Sequence, residues 1–293
     1  MNTGNFLTIP ADEYHAASRS GQYMSSHLLA DFRESPELYR RKTNGEIASA
    51  DTQSLALGRA AHCLILEGRT AFDEQFLVAD GPVNPKTSEP YGKATKAYAD
   101  WLASQTKEIV SQKDFGFILK LQKSVWAHPT ASALLDNGAP EATVRASYCD
   151  VPCQIRIDWF SCEYGIVDLK TCDSLKWFEA ECRRKRSEAD CLIAANAAAL
   201  GAKRRRVCRR FGYIHQMAFY RAVLHESIGE TVPVHLVAVE KNEPFSTGVW
   251  ELTDEVLYQA EEVNKAALAR YRKCQYTGHW PTGYEDIRII SSL

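Results

Sequence analysis

Alternation of hydrophobic and polar positions is most regular between residues 143 and 170. Three short runs show this period of two, at residues 143–148, 153–160 and 165–170, and turn residues separate them at 150–152 and 161–164. Side chains of a strand alternate between its two faces, so the pattern predicts an antiparallel meander of three strands. Two further strands are predicted at residues 232–240, which are rich in Val, and at residues 246–252.

Apolar positions with helical spacing dominate the rest of the chain. They predict helices at residues 54–68, 93–106, 115–136, 213–224 and 254–274. Near the N-terminus, Ser25 or Ser26 is a candidate cap for a helix that ends at about Arg33, and the pair Ser35-Pro36 predicts the start of another. Helices that flank a mixed sheet indicate an α/β or α+β fold.

The bulk composition suits one domain with a substantial core, since 45% of the 293 residues are hydrophobic. We expect a single domain over residues 1–293, with a mainly helical part at 1–136, a catalytic core at 140–275 and a basic insertion at 182–212. No apolar run is long enough to span a bilayer, and the first residues lack the features of a signal peptide. The expectation is a cytoplasmic protein without a membrane partner.

Cysteine usage points away from two common kinds of site. The nine cysteines are scattered, and none of them forms a Cys-x-x-Cys pair. The sequence therefore predicts neither a zinc ribbon nor a disulfide framework.

Positive charge is concentrated in one segment of a chain whose net charge is −2. Between Cys182 and Gly212 there are ten basic and two acidic residues, a local charge of +8 that leaves −10 on the remainder. This asymmetry suits a segment that contacts a polyanion such as DNA, and a solvated basic loop is the alternative. The candidate DNA-binding side chains in this segment are Arg183, Arg184, Lys203, Arg204, Arg205 and Arg206.

The candidate chemistry lies in two predicted strands of the meander. Asp158 is in the second strand, and Asp168-Leu169-Lys170 is in the third. Asp168 and Lys170 face the same side of their strand, while Leu169 faces the other side and leaves its carbonyl nearby. Two carboxylates beside an ammonium suit a Mg²⁺ site for phosphodiester cleavage, with Mn²⁺ as an alternative ion. An exposed salt bridge at a hairpin end is the ordinary structural explanation.

Four more polar residues strengthen this signal by their order. His62 lies in the predicted helix at residues 54–68, and Glu141 begins the first strand of the meander. Gln216 and Tyr220 are one turn apart on one face of a later helix. Each of them alone is explained as a core residue or a surface acid. Together the order is His, Glu, Asp, Asp-x-Lys, Gln-x-x-x-Tyr.

This order resembles the PD-(D/E)xK nuclease superfamily, in the branch with a RecB-type nuclease motif, and in particular the RecE-type (exonuclease VIII) nucleases of prophages. The resemblance extends through most of the chain and includes Tyr14-His15 and Ser25-Ser26 near the N-terminus. It implies a restriction-endonuclease-like core, in which a mixed central sheet with an antiparallel meander is flanked by helices.

The resemblance also implies the metal ligands. Asp158 and Asp168 would bind the ion together with the Leu169 carbonyl, and His62 would be an additional ligand. Some nucleases of the superfamily carry an iron–sulfur cluster on a C-terminal cysteine triplet. Only Cys274 lies near this C-terminus, so we expect no cluster.

The remaining roles follow from the same resemblance. Lys170 would be the catalytic lysine, and Glu141 would help to hold a metal-bound water or a second ion. Gln216 would position the lysine or a DNA phosphate. Tyr220 would support its helix or contact the DNA backbone.

One spacing departs from the pattern of these nucleases. The helix that carries Gln216 is expected soon after the Asp-x-Lys strand, but 45 residues separate Gln216 from Lys170. The excess coincides with the basic segment, which is a candidate DNA-gripping arm, oligomer contact or disordered insertion. If the insertion displaced the helix, Gln216 would lie out of reach of the site.

The expected function is that of a metal-dependent DNA exonuclease. The resemblance implies digestion of linear double-stranded DNA from its 5′ ends, a RecT-like single-strand annealing partner for the 3′ strand and a ring-shaped homo-oligomer. A structure-specific endonuclease on the same fold is the first alternative, since it shares every catalytic residue. A nuclease-fold module that binds DNA or protein without cutting is the second.

Overall fold

Helices precede, separate and follow a central β-sheet. The structure is a computed structural model that describes residues 6, 7, 9–48, 52–183, 212–285 and 287. Its first part contains α1 (Ala11–Arg19), α2 (Ser26–Glu34), α3 (Pro36–Thr43), α4 (Gln53–His62), a π-helical turn (Cys63–Glu67), α5 (Gly68–Gln75), β1 (Phe76–Val78), α6 (Lys96–Ala103), β2 (Glu108–Val110), α7 (Gln112–Ala127) and α8 (Pro129–Leu134). Its second part contains β3 (Ala139–Tyr148), β4 (Val151–Ser161), β5 (Gly165–Cys172), α9 (Leu175–Arg183), α10 (Tyr213–Ile228), β6 (Val234–Glu240), β7 (Thr247–Glu251) and α11 (Asp254–Thr277).

The main sheet has five strands in the order β3-β4-β5-β6-β7. Antiparallel pairing joins β3 to β4, β4 to β5 and β6 to β7, whereas β5 and β6 are parallel. The predicted meander and the two later strands are confirmed. A second, parallel sheet of β1 and β2 was not predicted, because three-residue strands are too short to show an alternating pattern.

Capping residues start the N-terminal helices where the sequence predicts them. The hydroxyl oxygen of Ser25 accepts the backbone N–H of Leu28 and caps α2. Ser35 does the same for Leu38 at the start of α3, where Pro36 occupies the first turn. The predictions for these two helices are confirmed.

Two predicted helices are each divided into shorter elements. The predicted helix at residues 115–136 breaks at Pro129, which starts α8 after the cap residue His128. The predicted helix at residues 54–68 is α-helical only to His62 and continues as the π-helical turn. A π-helical turn holds one residue more than an α-helical turn, so it changes the direction in which the following side chains point.

Two hydrophobic clusters pack against the main sheet. The first contains side chains of α2, α10 and α11, and the second contains side chains of α4, the π-helical turn, α7 and α8. Along β6, Leu236 and Ala238 belong to the first cluster, while Val237 and Val239 belong to the second. Because neighbouring side chains of a strand face opposite ways, the two clusters lie on opposite faces of β6.

The sheet splits between β4 and β5. β4 pairs with β3 over residues 151–157 and 159–160, but it pairs with β5 only over residues 159–161. Beside the unpaired part of β4, Met24 donates its N–H to the Pro152 carbonyl and accepts the N–H of Gln154. The segment before α2 therefore takes the place of a neighbouring strand, and the gap between β4 and β5 opens at Asp158.

Gly165 gives a test of this sheet geometry. It starts β5 with a left-handed backbone (φ 71°), and a Cβ atom there would lie 2.3 Å from the Pro233 carbonyl oxygen. Gly165→Ala is expected to destabilise the protein by roughly 2–5 kcal/mol, because both the backbone and the clash oppose the methyl group. Denaturant-induced unfolding measures the loss.

Gly116→Ala is the matched control for this substitution. Gly116 lies in α7, and nothing lies within 4 Å of its added Cβ atom. This variant is expected to be neutral or to gain up to about 1 kcal/mol, since Ala favours a helix more than Gly does. Similar unfolding midpoints for the two variants would contradict the geometry described for β5.

None of the helices in the described residues is both long and apolar enough to cross a membrane.

Candidate active site

β5 places the two charged residues of the Asp-x-Lys sequence on one face. In the pairing with β6, Asp168 lies beside Leu236 and Lys170 beside Ala238, on the face of the first cluster, while Leu169 is buried in the second. Lys170 Nζ is 2.5 Å from Asp168 Oδ2, and only 1% of the Asp168 side chain is exposed. The predicted geometry of this strand is confirmed.

Asp158 reaches the same point from β4. The β4–β5 register pairs Trp159 with Val167, so its continuation places Asp158 opposite Asp168. The strands separate at this position, and Asp158 Oδ2 accepts the backbone N–H of Leu169 at 2.9 Å. A side-chain oxygen thus takes the position of a strand carbonyl, and it holds the carboxylate beside β5.

His62 approaches this carboxylate from the end of α4. Its Nδ1 is 3.5 Å from Asp158 Oδ2, and about a quarter of its side chain is exposed (25%). Burial, and then the Lys170 ammonium, lower the pKa of His62 to about 4. The imidazole is therefore neutral at pH 7, which is the form that binds metals.

Glu141 lies across the β3–β4 pair from Asp158. Its neighbours fix this placement, since Pro140 pairs with Trp159 and Ala142 with Ile157. Glu141 itself has a left-handed backbone (φ 54°), which is uncommon for a residue with a side chain. Its carboxylate forms an ion pair with Arg156. Burial, and then the Asp158 charge, raise the pKa of Glu141 to about 7.

The buried carboxylates carry more negative charge than their surroundings stabilise. Burial raises the pKa of Asp168 to about 6, and the Lys170 ammonium offsets only part of the rise. Burial also raises the pKa of Asp158. At Lys170 burial opposes the charged form, but Asp168 and Asp158 outweigh it and raise the pKa. Lys170 is therefore protonated at neutral pH.

α10 is not displaced by the long spacing that precedes it. The ring centroid of Tyr213, in its first turn, lies 5.6 Å from Lys170 Nζ. The same ring lies 5.4 Å from the ring of Phe178 on α9. Gln216 Nε2 donates to the Tyr220 hydroxyl at 3.1 Å. The helix that carries Gln216 therefore starts beside Lys170.

Tyr220 is buried next to the carboxylates, with 5% of its surface exposed. Burial, followed by the charge of Asp158, raises the pKa of its hydroxyl. Of its two predicted roles, this burial favours support of the helix over contact with the DNA backbone. Gln216 is only partly buried, and its contact with Tyr220 connects it to the site.

The predicted DNA-binding side chains of the basic segment lie outside the described residues. They are Arg183, of which only the backbone is described, and Arg184, Lys203, Arg204, Arg205 and Arg206. Their roles stay predictions.

Three residues of the site were not found from the sequence. Arg156 pairs with Glu141, Tyr213 lies beside Lys170, and His27 is close enough for the charges of Lys170 and Asp168 to change its pKa. Strand alternation offered a signal for Arg156, because it lies two residues before Asp158 on the same face. His27 and Tyr213 depend on tertiary packing and have no comparable signal.

Comparisons with known proteins identify the family of this chain. A family model described as "PDDEXK-like domain of unknown function (DUF3799)" matches residues 25–187 and 198–292, which is most of the chain. The chain belongs to this family. It is therefore a member of the PD-(D/E)xK nuclease superfamily, as its motif order predicted, and its sheet and flanking helices form a restriction-endonuclease-like fold.

A solved structure has the same fold as this PDDEXK-like chain. It is the crystal structure of a protein from Eubacterium rectale named "Putative exonuclease", with a TM-score of 0.64 and 14% identity. The match covers 98% of this chain and 96% of that one. At this identity the likeness shows the fold alone. No curated protein matches the sequence.

PDDEXK nucleases generally use divalent metals, and the donors of this site suit such an ion. Asp168 Oδ1 is buried and has no hydrogen-bond partner among the described residues, while Asp168 Oδ2 forms the ion pair with Lys170. Carboxylate oxygens, the Leu169 carbonyl and a neutral imidazole are ligands that hard divalent cations accept. In the described part of the chain, however, no three His, Cys, Asp or Glu side chains are close enough to hold a metal by themselves.

A cation-binding test follows for this PDDEXK-like site. Millimolar Mg²⁺ or Mn²⁺ is expected to raise the midpoint of thermal unfolding, since an ion at 100 times its Kd stabilises the folded state by about 2.7 kcal/mol. The gain should disappear in Asp168→Asn and in excess chelator. An equal gain in wild type and Asp168→Asn would place the ion elsewhere.

The stabilisation by a cation is also expected to depend on pH. Without the ion, the folded-state pKa of Asp168, about 6, exceeds its ordinary value of 3.8. The folded state therefore binds this proton more tightly than the unfolded state does. The protonated carboxyl group stabilises the folded state at low pH, and this stabilisation is lost as pH rises through about 6. Because cations bind the ionised carboxylate, the gain from Mg²⁺ should be larger at pH 7.5 than at pH 5.

Proposed function

We propose that this PDDEXK-like chain is a Mg²⁺-dependent exodeoxyribonuclease that digests linear double-stranded DNA from 5′ to 3′ and leaves 3′ single strands for recombination. The observation that carries the proposal is the meeting of Asp158, Asp168 and Lys170 where β4 and β5 separate. Family membership supports nuclease chemistry, and the name of the Eubacterium rectale protein supports an exonuclease. Polarity rests on the resemblance to RecE-type nucleases.

The carboxylates of Asp158 and Asp168 would hold the cation, with the Leu169 carbonyl and His62 as further ligands. A bound Mg²⁺ supplies a Lewis acid that activates water and stabilises charge on the phosphate. Mn²⁺ is proposed as a substitute because it accepts the same ligands. The raised pKa values of the carboxylates favour this role, because a cation offsets the cost of burying their charge.

Lys170 is best suited to neutralise charge on the phosphate. Because its pKa is raised, the ammonium keeps its proton at neutral pH and donates hydrogen bonds rather than acting as a base. Glu141, with a pKa of about 7, can accept or release a proton near neutral pH. We assign Glu141 to the water that attacks or to a second ion, and Gln216 to the positioning of Lys170 or a phosphate.

We also propose a RecT-like annealing protein as partner and a ring-shaped homo-oligomer as the working form. Both rest on the resemblance to RecE-type nucleases. A ring around the duplex would keep the enzyme on one strand over many cycles, and the partner would take up the single strand that each cycle lengthens.

Digestion of labelled DNA with Mg²⁺ tests the proposal. Linear duplexes labelled at the 5′ or the 3′ end are followed over time beside a covalently closed circle. We expect early release of 5′ label as mononucleotide, late release of 3′ label and an intact circle. Early release of 3′ label would reverse the polarity, and nicking of the circle would indicate an endonuclease. Binding without any cleavage would indicate a non-cutting module.

A further inference from the structure

The ammonium of Lys170 has an aromatic partner as well as a carboxylate partner. Asp168 Oδ2 lies 2.5 Å from Lys170 Nζ, and the centroid of the Tyr213 ring lies 5.6 Å from the same nitrogen. A cation within about 6 Å of a ring centroid is attracted by the negative charge of the ring face, and more strongly when little water surrounds it. Only 15% of the Lys170 side chain is exposed. The surroundings of Lys170 therefore favour a strong contact with the ring.

The carboxylate partners of Lys170 are the groups that would also hold the cation. Asp168 forms the ion pair with Lys170, and the charge of Asp158 attracts the same ammonium. A divalent cation on these two carboxylates would offset the negative charge that attracts Lys170. Tyr213 is not among the proposed metal ligands. Its ring is therefore a partner of Lys170 that does not compete with the cation.

Packing on two sides holds Tyr213 in place. Its ring centroid lies 5.4 Å from the ring of Phe178, which is 2% exposed on α9. On the other side of α10, the Asn264 side chain donates a hydrogen bond to the His215 carbonyl at 2.9 Å and ties the first turn of the helix to α11. A lysine ammonium, in contrast, is carried on a flexible stem of four carbons. Tyr213 is therefore placed to restrict where the Lys170 ammonium can lie.

We propose that Tyr213 is a positioning residue for cleavage, whose ring face holds the Lys170 ammonium beside the scissile phosphate when the carboxylates of Asp158 and Asp168 hold the cation. The inference rests on the proposed function and deepens it, because it names a group that keeps Lys170 in place. Tyr213 acts through Lys170 and has no assigned contact with the reacting atoms.

Single-turnover cleavage of end-labelled duplex, measured with Mg²⁺ over a range of enzyme concentrations, tests this role. Tyr213→Leu is expected to lower the rate at saturating enzyme about 10-fold, because a contact between the ring and a largely desolvated ammonium is lost. The enzyme concentration that gives half of the maximal rate should stay near that of wild type. An unchanged maximal rate with a raised half-maximal concentration would make Tyr213 a DNA-binding residue and overturn the proposal.

Tyr213→Phe separates the ring from its hydroxyl. This variant keeps the ring face and should retain most of the wild-type rate. An equal loss in Tyr213→Phe and Tyr213→Leu would assign the effect to the hydroxyl and overturn the proposal.

A double-mutant cycle with Lys170→Met separates positioning from packing. Tyr213 lies at the edge of the first hydrophobic cluster, so its removal can also disturb the fold. If Tyr213 acts through Lys170, Tyr213→Leu has no further effect on the cleavage rate once Lys170 is methionine. The same loss of rate in both backgrounds would mean that Tyr213 only packs α10 against α9, and the proposal would be wrong.

A fluorinated ring keeps the test decisive if Tyr213→Leu does not fold. Trifluorophenylalanine introduced at position 213 has nearly the shape of phenylalanine, but its fluorine atoms withdraw charge from the ring face. The cleavage rate should be lower than that of Tyr213→Phe, while the midpoints of thermal unfolding agree. Equal rates for these two rings would overturn the proposal.

The cation site itself should be unaffected by Tyr213→Leu. Because Tyr213 is not a proposed ligand, Mg²⁺ should raise the midpoint of thermal unfolding of this variant as much as that of wild type. Loss of the Mg²⁺ effect would show that the substitution acts on the carboxylates rather than on Lys170, which would contradict the proposal.

Tyr23→Leu is the matched control. Tyr23 is partly buried, as Tyr213 is, and its ring centroid lies 4.5 Å from the guanidinium carbon of Arg145. Arg145 pairs with Gln154, four residues before Asp158 on β4. The substitution removes the same kind of contact from a cation that has no proposed role in cleavage. Its single-turnover rate should therefore stay near that of wild type.

The two proposals fail in different ways. If the wild type cuts DNA and Tyr213→Leu cuts it as fast as Tyr23→Leu does, only the role of Tyr213 is overturned. If the wild type binds DNA without cutting it in Mg²⁺ or Mn²⁺, the proposed function is overturned and the role of Tyr213 with it.

Discussion

Asp168→Asn is expected to lower DNA cleavage by at least about 10³-fold while the protein remains folded. The substitution keeps the shape of the side chain and removes the charge that a divalent cation needs. Stability should change little, because the raised pKa shows that burial already disfavours this carboxylate. The loss of the 2.5 Å ion pair with Lys170 acts in the opposite direction and lowers stability, although the charge of Asp158 still stabilises the Lys170 ammonium.

Asp150→Asn is the control for this loss. Asp150 has the same chemistry but lies at the tip of the hairpin, where its side chain is 78% exposed. Its left-handed backbone (φ 57°) is one that Asn tolerates. Initial rates on end-labelled duplex and thermal unfolding are compared for both variants. Cleavage by Asp168→Asn within 10-fold of wild type, a threshold of roughly 1.4 kcal/mol, would remove Asp168 from the site.

Lys170→Met has the second largest expected effect. Removal of the ammonium should lower kcat by about 10²–10³-fold, because a protonated group beside the phosphate is lost. It also leaves Asp168 without its ion pair in a buried position, so some stability is lost at neutral pH. That loss should shrink at pH 5, where more of the Asp168 carboxylate is protonated.

Lys265→Met is the matched control for this change. Lys265 lies on α11 and pairs with Glu261 and Glu262 on the helix surface, so its loss should affect neither cleavage nor stability by much. Single-turnover rates separate chemistry from DNA binding. If Lys170→Met lowers only affinity and leaves the single-turnover rate intact, Lys170 binds DNA and takes no part in the chemistry.

The sequence predicted the elements that carry their own periodic signal. The runs at residues 143–148, 153–160 and 165–170 alternate, and the predicted meander is present. At the turn between the second and third strands, the Ser161 hydroxyl oxygen accepts the N–H groups of Glu163 and Tyr164. The same alternation placed Asp168 and Lys170 on one face. His62 came from motif order alone, since a histidine in a helix carries no such signal.

Features that depend on contacts between distant segments were not predicted. The split between β4 and β5 requires Met24 to pair beside Cys153. The left-handed backbone of Glu141 is visible only in the folded strand pair.

The π-helical turn after His62 has a consequence for how this site can vary. In an uninterrupted α-helix, His62 and Leu66 would share a stripe, yet here Leu66 is 6% exposed in the second hydrophobic cluster while His62 meets Asp158. The extra residue rotates the side chains that follow by about 100° around the helix axis. Leu66 can therefore pack in the core while His62 contacts Asp158. A chain one residue shorter in this turn would lose either the packing of Leu66 in the core or the contact of His62 with Asp158. The length of this turn is therefore constrained both by the core and by the contact of His62 with Asp158.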